Sequence, residues 1–223
     1  GYEDMTNGLQ VFKEKIIAII RGLELDDTLR AVEALRAGGI RLVEVPFDQM
    51  RDPKDTAVKV EEIRRNFGGG DLICGSGTVL TAEQVRITYE AGGSLIVTPT
   101  AGKEVIEEAK RLGMFVMAGA MSPTETADVY GQGADVVKVF PAGVLGTGYI
   151  KALRGPFPYI PLAAVGGINL DNIQDFQDAG VSMFGIGESL VNRELIRQNR
   201  YDMLTKLARA YVEKVNDCQE CAE

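Results

Sequence analysis

Eight times along this chain a short apolar run of strand length is followed by a stretch of helical period, and no other feature restricts the possible folds as strongly. The runs are Lys15–Arg21, Leu42–Phe47, Leu72–Val79, Leu95–Thr98, Phe115–Ala118, Val136–Phe140, Pro161–Val165 and Met183–Gly187. Such near-continuous apolar character is the pattern of parallel strands buried on both faces. Amphipathic patterns lie between them, among them Asp26–Arg36, Ala57–Arg65, Ala82–Glu90, Lys103–Arg111 and Asp171–Asp178. Several end in a glycine stop, at Gly38-Gly39, Gly92-Gly93, Gly113 and Gly180, where the chain closes a helix in the left-handed conformation. Ser122-Pro123-Thr124-Glu125 reads as a helix start, with a serine cap and a glutamate three residues on.

Eight such units in 223 residues predict an α/β fold, a compact (β/α)8 TIM barrel, spanning 1–223 as a single domain. The competing architecture is an open doubly wound sheet. Against it, no GxGxxG follows the first strand. Glu14 is expected in a short N-terminal helix covering the barrel floor. The segment after Leu190 is expected to form one last helix, through Tyr211 to Val215, with a tail from about residue 216. Gly1 to Asp4, which precede Met5, are set aside from the fold reasoning.

A net charge of −8 without a basic cluster argues against nucleic acid as a partner. The longest apolar runs are far too short to span a membrane, and no secretory signal is visible. Three cysteines make no disulfide framework, so a cytoplasmic location is the expectation. Cys218 and Cys221 have CxxC spacing, but one pair alone is a weak metal or redox signal and fits a terminal tail as well. Cys74 lies in a strand pattern and reads as packing. The chain has no histidine. Ser-His and Cys-His pairs are therefore impossible, and acid–base work falls to carboxylates, lysine, tyrosine, cysteine or water.

In a barrel, reactive groups gather at the C-terminal ends of the strands. Those ends supply Arg21, Glu44, Thr78, Thr98, Lys138 with Phe140, Gly166 with Gly167, and Gly187 with Glu188. Lys138 stands inside the run Val136-Val137-Lys138-Val139. Loss of hydration there disfavours the ammonium, and a neutral amine can attack a carbonyl to form a Schiff base. Glu44, within Leu42-Val43-Glu44-Val45, is expected to have a raised pKa suited to moving protons near neutrality. The plainer readings are a lysine whose stem snorkels to solvent, or a Glu44–Lys138 ion pair within the barrel. Gly75-Ser76-Gly77-Thr78 permits close backbone approach and offers a hydroxyl to a carboxylate. The amides of Gly166-Gly167, ahead of a helix, and those near Gly187 are placed to hold an anion such as phosphate.

With these residues goes a set of motifs in a fixed order: Glu44-Val45, Gly75-Ser76-Gly77-Thr78, Gly119-Ala120-Met121-Ser122-Pro123-Thr124-Glu125, Val137-Lys138-Val139-Phe140-Pro141-Ala142, Gly155-Pro156-Phe157-Pro158 and Gly166-Gly167-Ile168-Asn169. From about Phe12 to Val215 the chain resembles the class I 2-keto-3-deoxy-6-phosphogluconate and 4-hydroxy-2-oxoglutarate aldolases. The resemblance implies reversible cleavage of a 2-keto-3-deoxy sugar acid (phosphate) or 4-hydroxy-2-oxoglutarate to pyruvate and an aldehyde. It implies Lys138 as the Schiff-base lysine and Glu44 as the acid–base group working through water. Thr78 matches a group on the substrate carboxylate, Arg21 an arginine that helps hold the site, and Phe140 the aromatic beside the lysine. It further implies a homotrimer that needs no metal or other cofactor, acting on small 2-oxo acids and aldehydes in carbohydrate metabolism.

Three positions depart from the family pattern. Asp48 stands where many relatives carry arginine, Val165 where many carry threonine, and Glu188 where many carry serine. Two carboxylates facing a phosphate dianion would each cost about 1 kcal/mol at contact in water and more when shielded. The expectation is an unphosphorylated or differently sized 2-oxo acid, or else use of Arg51 or Arg193. Asp48 and Glu188 directed to solvent are the plain alternative. Two other functions compete: a sugar-phosphate isomerase or epimerase on the same barrel, and a non-catalytic ligand-binding homologue.

Overall fold

The computed structural model describes residues 11–217. Its eight strands are β1 (Ile16–Ile19), β2 (Leu42–Pro46), β3 (Ile73–Gly77), β4 (Leu95–Thr98), β5 (Phe115–Ala120), β6 (Val136–Val139), β7 (Leu162–Val165) and β8 (Met183–Ile186). All neighbours are parallel and the sheet closes on itself in chain order. Pairing of Ile16 with Phe184 and Ala18 with Ile186 joins β1 to β8, which excludes the open sheet. The helices are α1 (Leu25–Ala37), α2 (Pro53–Phe67), α3 (Ala82–Glu90), α4 (Lys103–Arg111), α5 (Pro123–Gly131), α6 (Ala142–Arg154), α7 (Ile173–Asp178), α8 (Arg193–Arg197) and α9 (Tyr201–Asn216).

Two apolar layers hold the barrel. Ile17, Leu42, Ile73, Leu95, Phe115, Val136 and Met183 fill the lumen, while Ala18, Val43, Cys74, Ile96, Val116 and Val137 face the helices. The two sets alternate along each strand, as the period of two requires. Each fully buried Leu, Ile or Val contributes roughly 1.5–3 kcal/mol, so a one-residue slip of any strand would exchange both layers and is strongly opposed. The bottom of the lumen is closed by a helical turn at residues 11–13. Val11 joins the inner cluster, and Phe12 meets Phe115 edge-on at 5.3 Å. Glu14 lies just past this turn rather than within it.

The capping box at Ser122 forms as expected, with both reciprocal hydrogen bonds present. In the first glycine pair, Gly39 takes the left-handed turn at φ 103, and Gly38 lets α9 approach, since a Cβ there would lie 2.6 Å from Ala208 Cβ. Helix α2 starts at Pro53 rather than Ala57, because the Asp52 side chain accepts from Lys54 N and caps it. The patterning singles out no helix over 142–154. Its glycines hide the period, and α6 is indeed broken at Gly146, φ 82. The expected single last helix is two. Asn199, left-handed at φ 55, separates α8 from α9, a conformation that Asn tolerates better than most residues. Cys218 and Cys221 lie outside the described residues. No helix among the described residues is long and apolar enough to cross a membrane.

Candidate active site

The mouth of the lumen is built by small residues. Glu44 pairs across the sheet with Gly75, and Lys138 lies between Gly119 and Ala163. Gly77, farther along β3, leaves the space that the Glu44 carboxyl fills, while Gly75 and Gly119 admit the backbone of Leu95 and Pro99. Both side chains have the inward parity, Glu44 with Leu42 and Lys138 with Val136. Glu44 is 3 % exposed and Lys138 6 %.

Burial dominates the electrostatics of both. It pushes the Glu44 carboxyl up to about 7, against the opposing pull of Lys138 and Arg21. It pushes the Lys138 amine down, helped by Arg21 and opposed by Glu44. Burial thus shifts each of the two groups toward its neutral form. Oε2 of Glu44 is buried without a hydrogen-bond partner among the described residues. Such an orphan is rare in folded proteins and calls for an explanation, and a strongly perturbed acid beside a desolvated amine is a mark of functional sites. Lys138 Nζ lies 4.9 Å from the centre of the half-exposed Phe140 ring.

Arg21 reaches across from β1 and donates through Nη2 to Thr78 Oγ1 at 3.3 Å. It also lies within electrostatic reach of both Glu44 and Lys138. Thr78 itself has φ 48, unusual for a β-branched residue. Beside this pair opens a cavity of about 520 Å³, whose lining includes Arg21, Thr78, Asp48, Gln49, Arg51 and Arg193. Gly166 and Gly167 have φ 93 and φ 74; the Phe140 ring lies 3.4 Å from where a Gly166 Cβ would be, and Gly167 lies against Gly143. The helix after them begins only at Ile173 and is one and a half turns long, so these two amides are not its N-terminus. Gly187 has open space at its Cβ position, and its carbonyl accepts from the amides of Leu190 and Val191.

The structure therefore brings together Arg21, Glu44, Thr78, Lys138 and Phe140, with Gly166 against the aromatic ring. Thr98 is not brought to this group. It has the parity of outward-facing Ile96, is fully buried, and shares its hydroxyl with Thr100 Oγ1 at 3.1 Å. Glu188 is linked to the site through Arg193, with which it forms an ion pair at 3.1 Å and which donates to the Arg21 carbonyl at 3.3 Å, while Val165 packs in the lumen. Asp48 accepts from Met50 N at 2.9 Å. Two residues that reading the strand ends does not reach, Gln49 and Gln84, bind the loop of Thr78. The available signal is Gln84 itself, a glutamine on the buried stripe of α3 with Val85 and Thr88.

A closed (β/α)8 barrel with a desolvated lysine and a proton-holding carboxylate in its mouth defines a class, the Schiff-base aldolases, which are carbon–carbon lyases. The chain belongs to the KDPG and KHG aldolase family, whose model matches residues 9–207. It is 38% identical to the probable 2-dehydro-3-deoxy-6-phosphogalactonate aldolase of Rhizobium meliloti, over 82% of this chain and 84% of that one. It is 33% identical to the 2-dehydro-3-deoxy-6-phosphogalactonate aldolase of Escherichia coli, over 91% and 97%. The KDPG aldolase of Legionella pneumophila, solved with pyruvate captured as a covalent carbinolamine, superposes with a TM-score of 0.81 at 29% identity, over 91% of this chain and 96% of that one.

Proposed function

We propose that this chain is a class I aldolase that cleaves a 2-keto-3-deoxy acid, reversibly, to pyruvate and an aldehyde, with Lys138 as nucleophile and Glu44 as proton carrier. One observation carries the reading: an amine and a carboxyl buried in the same barrel mouth, each shifted toward its neutral form. The neutral Lys138 amine attacks the C2 ketone and gives a carbinolamine. Protonation of its hydroxyl by Glu44, through water, expels water and leaves a protonated imine. The imine draws the C3–C4 bonding electrons as the C4 hydroxyl loses its proton, so the aldehyde departs and an enamine remains. Return of a proton to C3 and hydrolysis of the imine free pyruvate and lysine. Arg21 and Thr78, already joined, hold the substrate carboxylate and fix the imine carbon beside Glu44.

The aldehyde end of the substrate is read as unphosphorylated. Both cations placed to stand in for the missing phosphate ligands are engaged with carboxylates. Arg193 pairs with Glu188, and Arg51 has Glu24, Asp48 and Asp55 within 3.7–3.9 Å. A neutral polyhydroxy tail meets no like-charge penalty in that setting. The same reading takes the enzyme as a cytoplasmic homotrimer of carbohydrate metabolism, which rests on the family resemblance.

The test is borohydride reduction in the presence of pyruvate, followed by peptide mass spectrometry. The expected result is one pyruvyl adduct on Lys138, absent from Lys138→Ala. An adduct on another lysine overturns the assignment. No adduct, with turnover of sugar phosphates, would favour an isomerase or epimerase; ligand binding without either favours a non-catalytic homologue.

A further inference from the structure

Thr78 adopts a left-handed conformation, φ 48, that a branched side chain does not choose. Something must hold it there. Three hydrogen bonds run end to end around it. Leu80 N donates to Gln84 Oε1 at 2.8 Å, Gln84 Nε2 donates to Gln49 Oε1 at 2.8 Å, and Gln49 Nε2 donates to Thr78 O at 3.0 Å.

The direction of this chain is forced. A backbone N–H at one end can only donate, and a backbone carbonyl at the other can only accept. Both side-chain amides must therefore be oriented as they are. Gln84 is nearly buried and rooted in the first turn of α3, where its own N–H bonds to the Thr81 cap. Gln49 is exposed and belongs to the loop that follows β2, the strand of Glu44. The relay thus clasps the carbonyl of Thr78 and the amide of Leu80 from either side, and ties that turn to the loop beyond Glu44. What this accomplishes is visible at the Thr78 hydroxyl, which is turned to receive Arg21 Nη2.

We infer that Gln49 and Gln84 are positioning residues for recognition of the substrate carboxylate, holding Thr78 in the strained turn that presents its hydroxyl beside Arg21. They touch no reacting atom. Their effect is on the fit of a carboxylate, and this inference rests on the aldolase reading for its chemical readout.

The experiment compares the rate of borohydride trapping with pyruvate and with pyruvamide, which keeps the ketone but lacks the charge. Gln84→Leu, Gln84→Glu and Gln49→Ala are measured beside the wild type. Each variant is expected to lose at least about tenfold of the preference for pyruvate, the size of one hydrogen bond to a charged group, with trapping of pyruvamide little changed. Glu at position 84 still accepts from Leu80 but has no proton for Gln49, so it should behave like Leu. Gln49→Ala is at an exposed loop position and keeps the test open if substitutions at position 84 disturb the fold. Equal losses for both ketones, or no loss, would overturn the inference. Hydrogen exchange at the Leu80 amide is followed in parallel. It should be slow in the wild type and fast in Gln84→Leu, and unchanged protection overturns the relay. If the wild type traps neither ketone, the aldolase reading fails, and the exchange result decides the relay by itself.

Discussion

Gly77 and Glu44 occupy each other's space: a Cβ built on Gly77 would lie 1.8 Å from Oε2 of Glu44 and 2.3 Å from its Cδ. The backbone of β3 is thus the wall against which the carboxyl rests. Gly77 is fixed by this approach and not by its own backbone angles, since it is absent from the glycines with positive φ. In Gly77→Ala the methyl must push the Glu44 carboxyl aside or spread the two strands. We expect a loss of about 1–3 kcal/mol in stability, the usual cost of overpacking, measurable by urea denaturation. Exchange of the pyruvate C3 protons with deuterium should fall by roughly a hundredfold or more, the contribution of a well-placed acid–base group.

The pH profile of that exchange should follow Glu44. Its carboxyl titrates at about 7 rather than at the ordinary 4.5, so as the base that takes a C3 proton it becomes active only as pH rises through neutrality. The acid limb of the rate is therefore expected near 7. In Glu44→Gln the limb near 7 should vanish and the residual rate fall roughly 10²–10⁴-fold. An unchanged limb in this variant would assign it to another group.

The same burial links stability to pH. The folded chain prefers the protonated carboxyl, with a pKa raised from 4.5 to about 7. Stability from this group is complete below about 4.5 and is lost as pH rises through about 7. At about 1.4 kcal/mol per pH unit, roughly 3 kcal/mol disappears across that window. Glu44→Gln, which keeps the shape without the charge, should be the more stable protein at pH 8, with its advantage over the wild type shrinking toward pH 5. Denaturant midpoints at the two pH values provide the measurement.

Glu188 and Arg193 should set the response to phosphate. With the pair closed at 3.1 Å, the wild type is expected to turn over 2-keto-3-deoxygluconate in preference to its 6-phosphate ester. Glu188→Ser removes a negative charge and releases Arg193 from its ion pair, though not from the Arg21 carbonyl, which should raise kcat/KM for the ester by roughly tenfold, given about 1 kcal/mol or more per like-charge contact. A wild type that strongly prefers the ester would refute the unphosphorylated substrate.

Much of this molecule is written in local sequence. The alternation of apolar runs and helical stripes determines eight β–α units, because the period of a strand or a helix depends only on neighbours along the chain. Lys138 and Glu44 were legible for the same reason: a charge inside an apolar run is conspicuous wherever the run lies. Tertiary structure decided what local pattern cannot carry. Thr98 stands at a strand end like Glu44, yet its parity turns it outward, and parity against the lumen exists only once the barrel closes. The partnership of Glu188 with Arg193 depends on how a loop folds back on itself. The handedness of Thr78 depends on two glutamines from different β–α units. Period is a property of a segment, whereas burial, pairing and strain belong to the surfaces that segments make when they meet.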